Sequence, residues 1–520
     1  MVKSCIIAAA VIMATVAAPP ANAAFGSVVR IDSGLIEGIP ALTPGVMVFE
    51  GIPYAAPPVG DLRWKPPQPV EPWPVPRNVD RFGPVCLQHH PGTSSWDFFG
   101  DYEAQSEDCL YVNVWTPAKS SHDRLPVLVW IYGGGFGFGS GTVRLYHGDN
   151  LAAKGAVVVT FNYRLGVFGF LAHPELTKES GRNASGNYGL MDQVAALQWV
   201  RRNIAAFGGD PNRVAIFGES AGGGSVNFMQ ATPLAKGLFQ RAIAESGGQF
   251  SRYGPPSGEL RLAEAEQAGL RFAQGLGASS LADLRCRPAE QLLRAASGFS
   301  PGVPIIDGYV LPEDVYSIFA EGKENDVPVL VGSNSDEGTS LRVPRPTMDT
   351  PQLQTELARL YPPDQEEKII SGVMLWIMRT WARLETKTGT HQAYEYYFSH
   401  HPPFPADAKF EGDVTHFGAF HGAEIIYVFN NLAIRKSRNW PWQAWDWKLA
   451  DIMSSYWANF AANGDPNGPG LPTWPAYDDS HPQVMNFGNA VQAIPLPRRA
   501  ELEFWEKVNH PQPTASPATK

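Results

Sequence analysis

Long hydrophobic runs, a surplus of basic charge and a rich cysteine complement are all missing from this 520-residue chain, and each absence closes off a class of function. Lys and Arg number 41 against 51 Asp and Glu, a formal net charge of −10, and the two signs are interspersed. No basic face is available to neutralise a phosphate backbone, so nucleic acid and anionic membrane surfaces are poor partners. The most apolar stretch, Ile6 to Ala17, is shorter than the ~20 residues that a membrane helix needs. It follows Lys3 and precedes Pro19, Pro20 and the small-residue triplet Ala21, Asn22, Ala23, the order of a secretory signal. Residues 1–23 are therefore expected to be removed, leaving a secreted or periplasmic protein with no membrane segment that begins near Ala24. Of the four cysteines, Cys5 would leave with the signal, and Cys86, Cys109 and Cys286 would meet an oxidising compartment. Three pairings are possible. The pair closest in sequence is Cys86 with Cys109, whose closure would contribute about 3 kcal/mol by loop entropy. Cys286 is then left over and expected to be buried.

What is present describes a globular α/β protein. Hydrophobic residues make up 44% and charged residues only 18%, enough apolar surface to offset the entropy of ordering. Short continuous apolar runs at Val127–Ile131, Val157–Phe161, Val214–Phe217 and Val327–Val331 read as strands of a mainly parallel sheet covered on both faces. Between the second and third runs, Leu197, Val200, Ile204 and Phe207 recur at helical spacing and predict a crossover helix turned to the sheet. A later helix is expected within Trp440 to Trp457 and beyond, with Leu449, Ile452, Met453, Tyr456 and Phe460 on its packing face. No repeat or linker interrupts the chain, which predicts one domain over residues 24–510 and a disordered tail at 511–520.

Gly218, Glu219, Ser220, Ala221 and Gly222 spell G-x-S-x-G, the pattern of a serine on a sharp strand-to-helix turn. The same pattern occurs at Gly298 to Gly302, so context must choose between them. Ser220 follows an apolar strand and opens a glycine-rich helix start; Ser300 does neither. Pro301 also lacks the N–H that the residue after a nucleophile must offer to an oxyanion. Directly after the run ending at Ile131 come Tyr132, Gly133, Gly134, Gly135 and Phe136, at the carboxyl end of the sheet where ligands bind. The N–H groups of Gly134, Gly135 and Ala221 would form a three-donor oxyanion hole, each donor contributing about 3 kcal/mol to the transition state.

With further segments, namely FEGIPYAAPP (Phe49–Pro58), SEDCLYVNV (Ser106–Val114), NYRLGVFGF (Asn162–Phe170), GNYGLMD (Gly186–Asp192) and FGGDPNRVAIFGESAGG (Phe207–Gly223), the chain resembles the carboxylesterase type B family. That family includes bacterial para-nitrobenzyl esterases, animal carboxylesterases and cholinesterases, and the likeness runs from about Gly34 to Trp505. It implies an α/β-hydrolase fold, a mostly parallel central sheet with helices on both faces and helical insertions over the active site. It also implies a serine carboxylic-ester hydrolase working through an acyl-enzyme, without metal or organic cofactor. The family's acid is matched by Glu337 in Asp336-Glu337-Gly338, with Asp336 as the nearest rival, and its base by His421 in His421-Gly422-Ala423-Glu424 rather than by His416. Glu219 and Ser246 match positions that support the triad from behind. The likeness pairs Cys86 with Cys109 around a loop carrying Trp96, Phe98, Phe99 and Tyr102, rings that either line the acyl or alcohol site or simply pack. The cation-binding tryptophan of cholinesterases has no counterpart at its usual distance before the second cysteine, which argues against choline esters. Substrates are expected to be small-molecule or polymer-derived esters, and the protein itself a monomer or a homodimer. Rival readings are a binding protein that has lost catalysis and a hydrolase of amides or thioesters.

Overall fold

A computed structural model describes residues 26–89, 104–251, 253, 260–297, 302–341, 343–405, 417–434 and 440–510. The expected signal at 1–23, the rings at 96–102, Ser300, His416 and the tail at 511–520 lie outside the described residues.

Seven parallel strands form the centre: β1 (Leu125–Ile131), β2 (Val157–Phe161), β3 (Gly209–Glu219), β4 (Arg241–Glu245), β5 (Val329–Asn334), β6 (Ala393–Phe398) and β7 (Gln483–Phe487). Their spatial order is β2-β1-β3-β4-β5-β6-β7. Antiparallel strands extend both edges, Tyr111–Thr116 and Met47–Pro53 beyond β2 and Val491–Pro495 beyond β7. Every residue of β2 is buried, as a strand covered on both faces requires. This is the α/β-hydrolase fold.

The four strand expectations hold, with shifted ends: β3 begins five residues before Val214, and β5 starts at Val329 and continues to Asn334. The crossover helix α1 (Tyr188–Asn203) passes into a 3-10 turn at Ile204–Phe207, and the four residues of its predicted face are all buried. Helix α2 (Ala221–Ala231) follows β3 directly. The late helix α3 (Ala444–Asn463) buries Leu449, Met453, Tyr456 and Phe460 and leaves Ile452 half-buried. Because the chain crosses from β2 on one side of β1 to β3 on the other, the strand order reverses there, opening a crevice above the carboxyl ends of β1 and β3.

One buried ion pair ties this crossover down. Arg164, just past β2, donates from its backbone N, Nε and Nη2 to the Asp192 carboxylate on α1 at 3.1, 2.7 and 2.7 Å. Removing the acid would strand a guanidinium in the core. Asp192→Ala is expected to cost about 3–5 kcal/mol, read as a lower denaturation midpoint in urea at unchanged slope.

Cys86 and Cys109 are joined in a disulfide with their Cα atoms 5.0 Å apart. Cys286 corrects the expectation of burial, since it is exposed. It caps the five-residue helix Leu281–Arg285, which turns Leu281 and Leu284 inward and so leaves its C-terminal end in solvent.

Candidate active site

Where β3 ends at Glu219, the chain turns so sharply that Ser220 adopts φ 58° and ψ −124°, a conformation costing about 1–3 kcal/mol for a side-chain-bearing residue. The turn is over-determined. Ser220 N donates to the Glu245 carbonyl at the end of β4, and Gly224 N donates to the Ser220 carbonyl, both at 2.9 Å. The glycine at 222 is demanded by approach, because a Cβ there would lie 2.0 Å from the Ile131 carbonyl oxygen.

Above β1, Gly134 and Gly135 sit at φ +107° and +60°, and the N–H groups of Gly137 and Phe138 both close onto the Gly134 carbonyl. Gln88, two residues beyond the disulfide cysteine, holds this loop from outside. Its Oε1 accepts from Gly139 N at 2.8 Å, while its Nε2 donates to the carbonyls of Gly139 and Cys86 at 3.0 and 2.9 Å. Nothing in the sequence marks Gln88, since the contact spans 51 residues.

His421 comes to the same point from the far end of the chain. Its Nε2 is 2.8 Å from Ser220 Oγ and its Nδ1 is 2.6 Å from Glu337 Oε2. A carboxylate only accepts, so in the neutral imidazole Nδ1 carries the proton and Nε2 is left to accept from the serine hydroxyl. Glu337 is buried on the turn after β5, where Asn334 N donates to its Oε1 at 2.7 Å. Asp336, the rival acid, points elsewhere: its Oδ2 accepts from Ala419 N at 3.0 Å and so braces the segment leading to His421. Ser340 Oγ accepts from His421 N at 3.2 Å and completes the hold.

Glu219 and Ser246 both lie behind Ser220. Glu219 Oε1 is 3.2 Å from His421 Nε2, without the alignment of a hydrogen bond. Ser246, buried at φ 49°, has an unpartnered Oγ. Burial by itself depresses the His421 imidazole, but the negative charges of Glu219 and Glu337 and the Glu337 hydrogen bond outweigh it and push the group up to about 10. Burial raises Glu219 to about 7, so near neutrality a proton on that carboxyl relieves the first of these pulls. Two further buried acids, Glu245 and Glu424, complete the surroundings and have no signature in sequence position. Among the described residues no group of three or more His, Cys, Asp or Glu is placed to hold a metal ion.

A serine on a strand-to-helix bend, at the switch point of a parallel sheet and in contact with a His–Glu pair, defines a hydrolase of the α/β-hydrolase fold. The chain belongs to the carboxylesterase family, whose profile matches residues 26–360 and 365–505. It is 37% identical over 483 residues to the fumonisin B1 esterase of Sphingopyxis macrogoltabida, covering 88% of this chain and 86% of that one. It is also 37% identical to the para-nitrobenzyl esterase of Bacillus subtilis (strain 168), over 88% of this chain and 94% of that one. A solved PNB esterase superposes with a TM-score of 0.78 at 33% identity, covering 92% of this chain and 99% of its own. The chain is a carboxylesterase.

Proposed function

We propose that this esterase works through an acyl-enzyme on Ser220, with His421 as base, Glu337 as acid and the N–H groups of Gly134, Gly135 and Ala221 as oxyanion hole. The observation that carries the reading is the unbroken pair of contacts Ser220 Oγ to His421 Nε2 and His421 Nδ1 to Glu337, 2.8 and 2.6 Å. As the hydroxyl attacks the ester carbonyl carbon, His421 takes its proton and Glu337 stabilises the imidazolium. The three amides hold the tetrahedral oxyanion, and His421 then protonates the departing alkoxide. Water repeats the sequence on the acyl-enzyme. Ester cleavage is favoured over amide cleavage because an alkoxide leaves more readily than an amine.

A fluorophosphonate probe should label the chain at Ser220, and a nitrophenyl ester should give a burst of alcohol release before the steady state. An unlabelled, burst-free protein would instead support the reading of a binding protein that has lost catalysis. The names of the relatives make para-nitrobenzyl esters and fumonisin B1 the first substrates to assay. Export is also proposed, on the Lys3 to Ala23 pattern; amino-terminal sequencing of the exported protein should begin near Ala24.

Glu219→Gln isolates the electrostatic control of the base. The Glu219 charge raises His421, so its removal lets the imidazole lose its proton at lower pH. The acid limb of kcat/KM is expected to move about 1–3 pH units acidward, and an unmoved limb would mean that Glu219 carries no charge in the free enzyme.

A further inference from the structure

Across the sheet, Glu219 on β3, Glu245 on β4, Gly332 on β5 and Tyr396 on β6 occupy one row. The missing side chain at 332 is what completes the row: a Cβ there would lie 2.3 Å from the Tyr396 ring, so the ring lies over Gly332 and across β5. From below, α3 supplies Trp457, whose Nε1 donates to Glu245 Oε1 at 2.7 Å and whose ring packs 5.6 Å from that of Tyr396. Glu424 closes the group, with its Oε2 accepting from Asn334 Nδ2. Glu245, Glu424 and Tyr396 are all buried.

Two features of this layer go beyond the triad. Glu219 Oε1, Glu245 Oε2, Glu424 Oε1, Ser246 Oγ, Asn334 Oδ1 and the Tyr396 hydroxyl are buried without hydrogen-bond partners. In addition, three buried carboxyls, Glu219, Glu337 and Glu424, act on a single imidazole, a fourth, Glu245, lies against Glu424 and Glu219, and among the described residues no Lys or Arg pairs with any of them. Four carboxylates against one imidazolium would leave a net charge of −3 out of water, which a protein avoids by retaining protons. The bonding of Glu245 fits one of those protons. An un-ionised acid accepts on its carbonyl oxygen and donates from its hydroxyl, and Glu245 has one oxygen on an indole N–H and the other free.

We propose that Glu245 is a positioning residue for the esterase reaction: an un-ionised acid anchored by Trp457, whose free hydroxyl supplies one hydrogen-bond donor, shared between the Glu219 and Glu424 carboxyls whose charges act on His421. Burial first, then the charge of Glu424, raises Glu245 well above the usual carboxylate range, in agreement with that state. Burial, followed by the charges of Glu219 and Glu337, likewise pushes Glu424 up to about 8, leaving it able to share the proton. The titratable groups facing Glu245 are thus Glu424, Glu219 and Tyr396, and Tyr396 is itself raised by burial and by Glu424, Glu245, Glu337 and Glu219. The proposal rests on the Ser220, His421, Glu337 reading and adds the group that supports it from the neighbouring strand.

The test is a set of pH profiles on the full-length enzyme with a nitrophenyl ester. Glu245→Leu removes the donor and is expected to lower kcat about tenfold with KM unchanged. Glu245→Gln keeps a neutral donor of the same length and should restore kcat to within about threefold, with the acid limb of kcat/KM at its wild-type pH. An acid limb that moves acidward in Glu245→Gln, as it should in Glu219→Gln, would show that Glu245 carries a charge and would overturn the proposal. So would a Glu245→Leu enzyme with undiminished kcat. If the leucine variant does not fold, the glutamine profile alone decides by the same criterion. Fluorophosphonate labelling of Ser220 separates the two levels: labelling with an unmoved kcat in Glu245→Leu sinks this inference only, whereas an unlabelled wild type sinks the reading beneath it.

Discussion

Ser220→Ala is expected to lower kcat by about a million-fold while leaving KM within a few-fold of the parent. The alanine retains the backbone turn and the glycine loop, so substrate still binds and the amide donors still polarise its carbonyl. What is lost is the covalent route. Without Oγ there is no acyl-enzyme, and His421 faces the carbonyl with only solvent to activate. A residual acceleration of about 10³–10⁴ over water is what binding and the oxyanion donors can supply alone. Steady-state assays with a nitrophenyl ester, together with mass spectrometry for a covalent adduct, check both halves. Turnover within a hundredfold of the parent would remove Ser220 from the mechanism.

Glu337→Gln should cost about 10⁴ in kcat, and the structure says why an isosteric neutral side chain is so damaging. Asn334 N donates to Oε1 at 2.7 Å, so the glutamine oxygen is pinned there and its NH₂ takes the place of Oε2. That NH₂ then points at His421 Nδ1, which must become the acceptor. The imidazole proton shifts to Nε2, where it faces Ser220 Oγ, and the base can no longer take the hydroxyl proton. Asp336→Asn offers the contrast: Asp336 braces Ala419 N rather than the imidazole, and its effect on kcat should be smaller by orders of magnitude. A Glu337→Gln loss below tenfold would mean that the acid is another group.

Residues that share a local segment were legible in the sequence. The bend at Ser220 could be read from an apolar run, a flanking pair of glycines and a glycine-rich helix start, because each serves the turn itself. The glycine loop at Gly133 to Gly135 was readable for the same reason, and the helix face at Leu197 to Phe207 followed from its period. Choosing Glu337 over Asp336 and His421 over His416 needed a family resemblance. A carboxylate after a strand or a histidine in a loop has no local pattern that distinguishes catalysis from solvation. Cys286 failed on the same ground: its exposure is set by how one short helix end meets solvent.

The amino-acid sequence alone determined the fold class, the strands around the switch point, the bend at Ser220 and the family to which the chain belongs. All of these are written in contiguous residues, where periodicity, glycine spacing and backbone sterics act over a few positions. Only the tertiary structure decided that Gln88 steadies the glycine loop, that Asn334 aims Glu337, and that Glu245 shares a row with Glu219 across the vacated face of Gly332. Apart from the local Asn334–Glu337 contact, those relations depend on strand register and on which loop meets which, and the Gln88–Gly139 contact spans 51 residues. Register is chosen by the burial of the whole sheet at once, so no single stretch of sequence contains it.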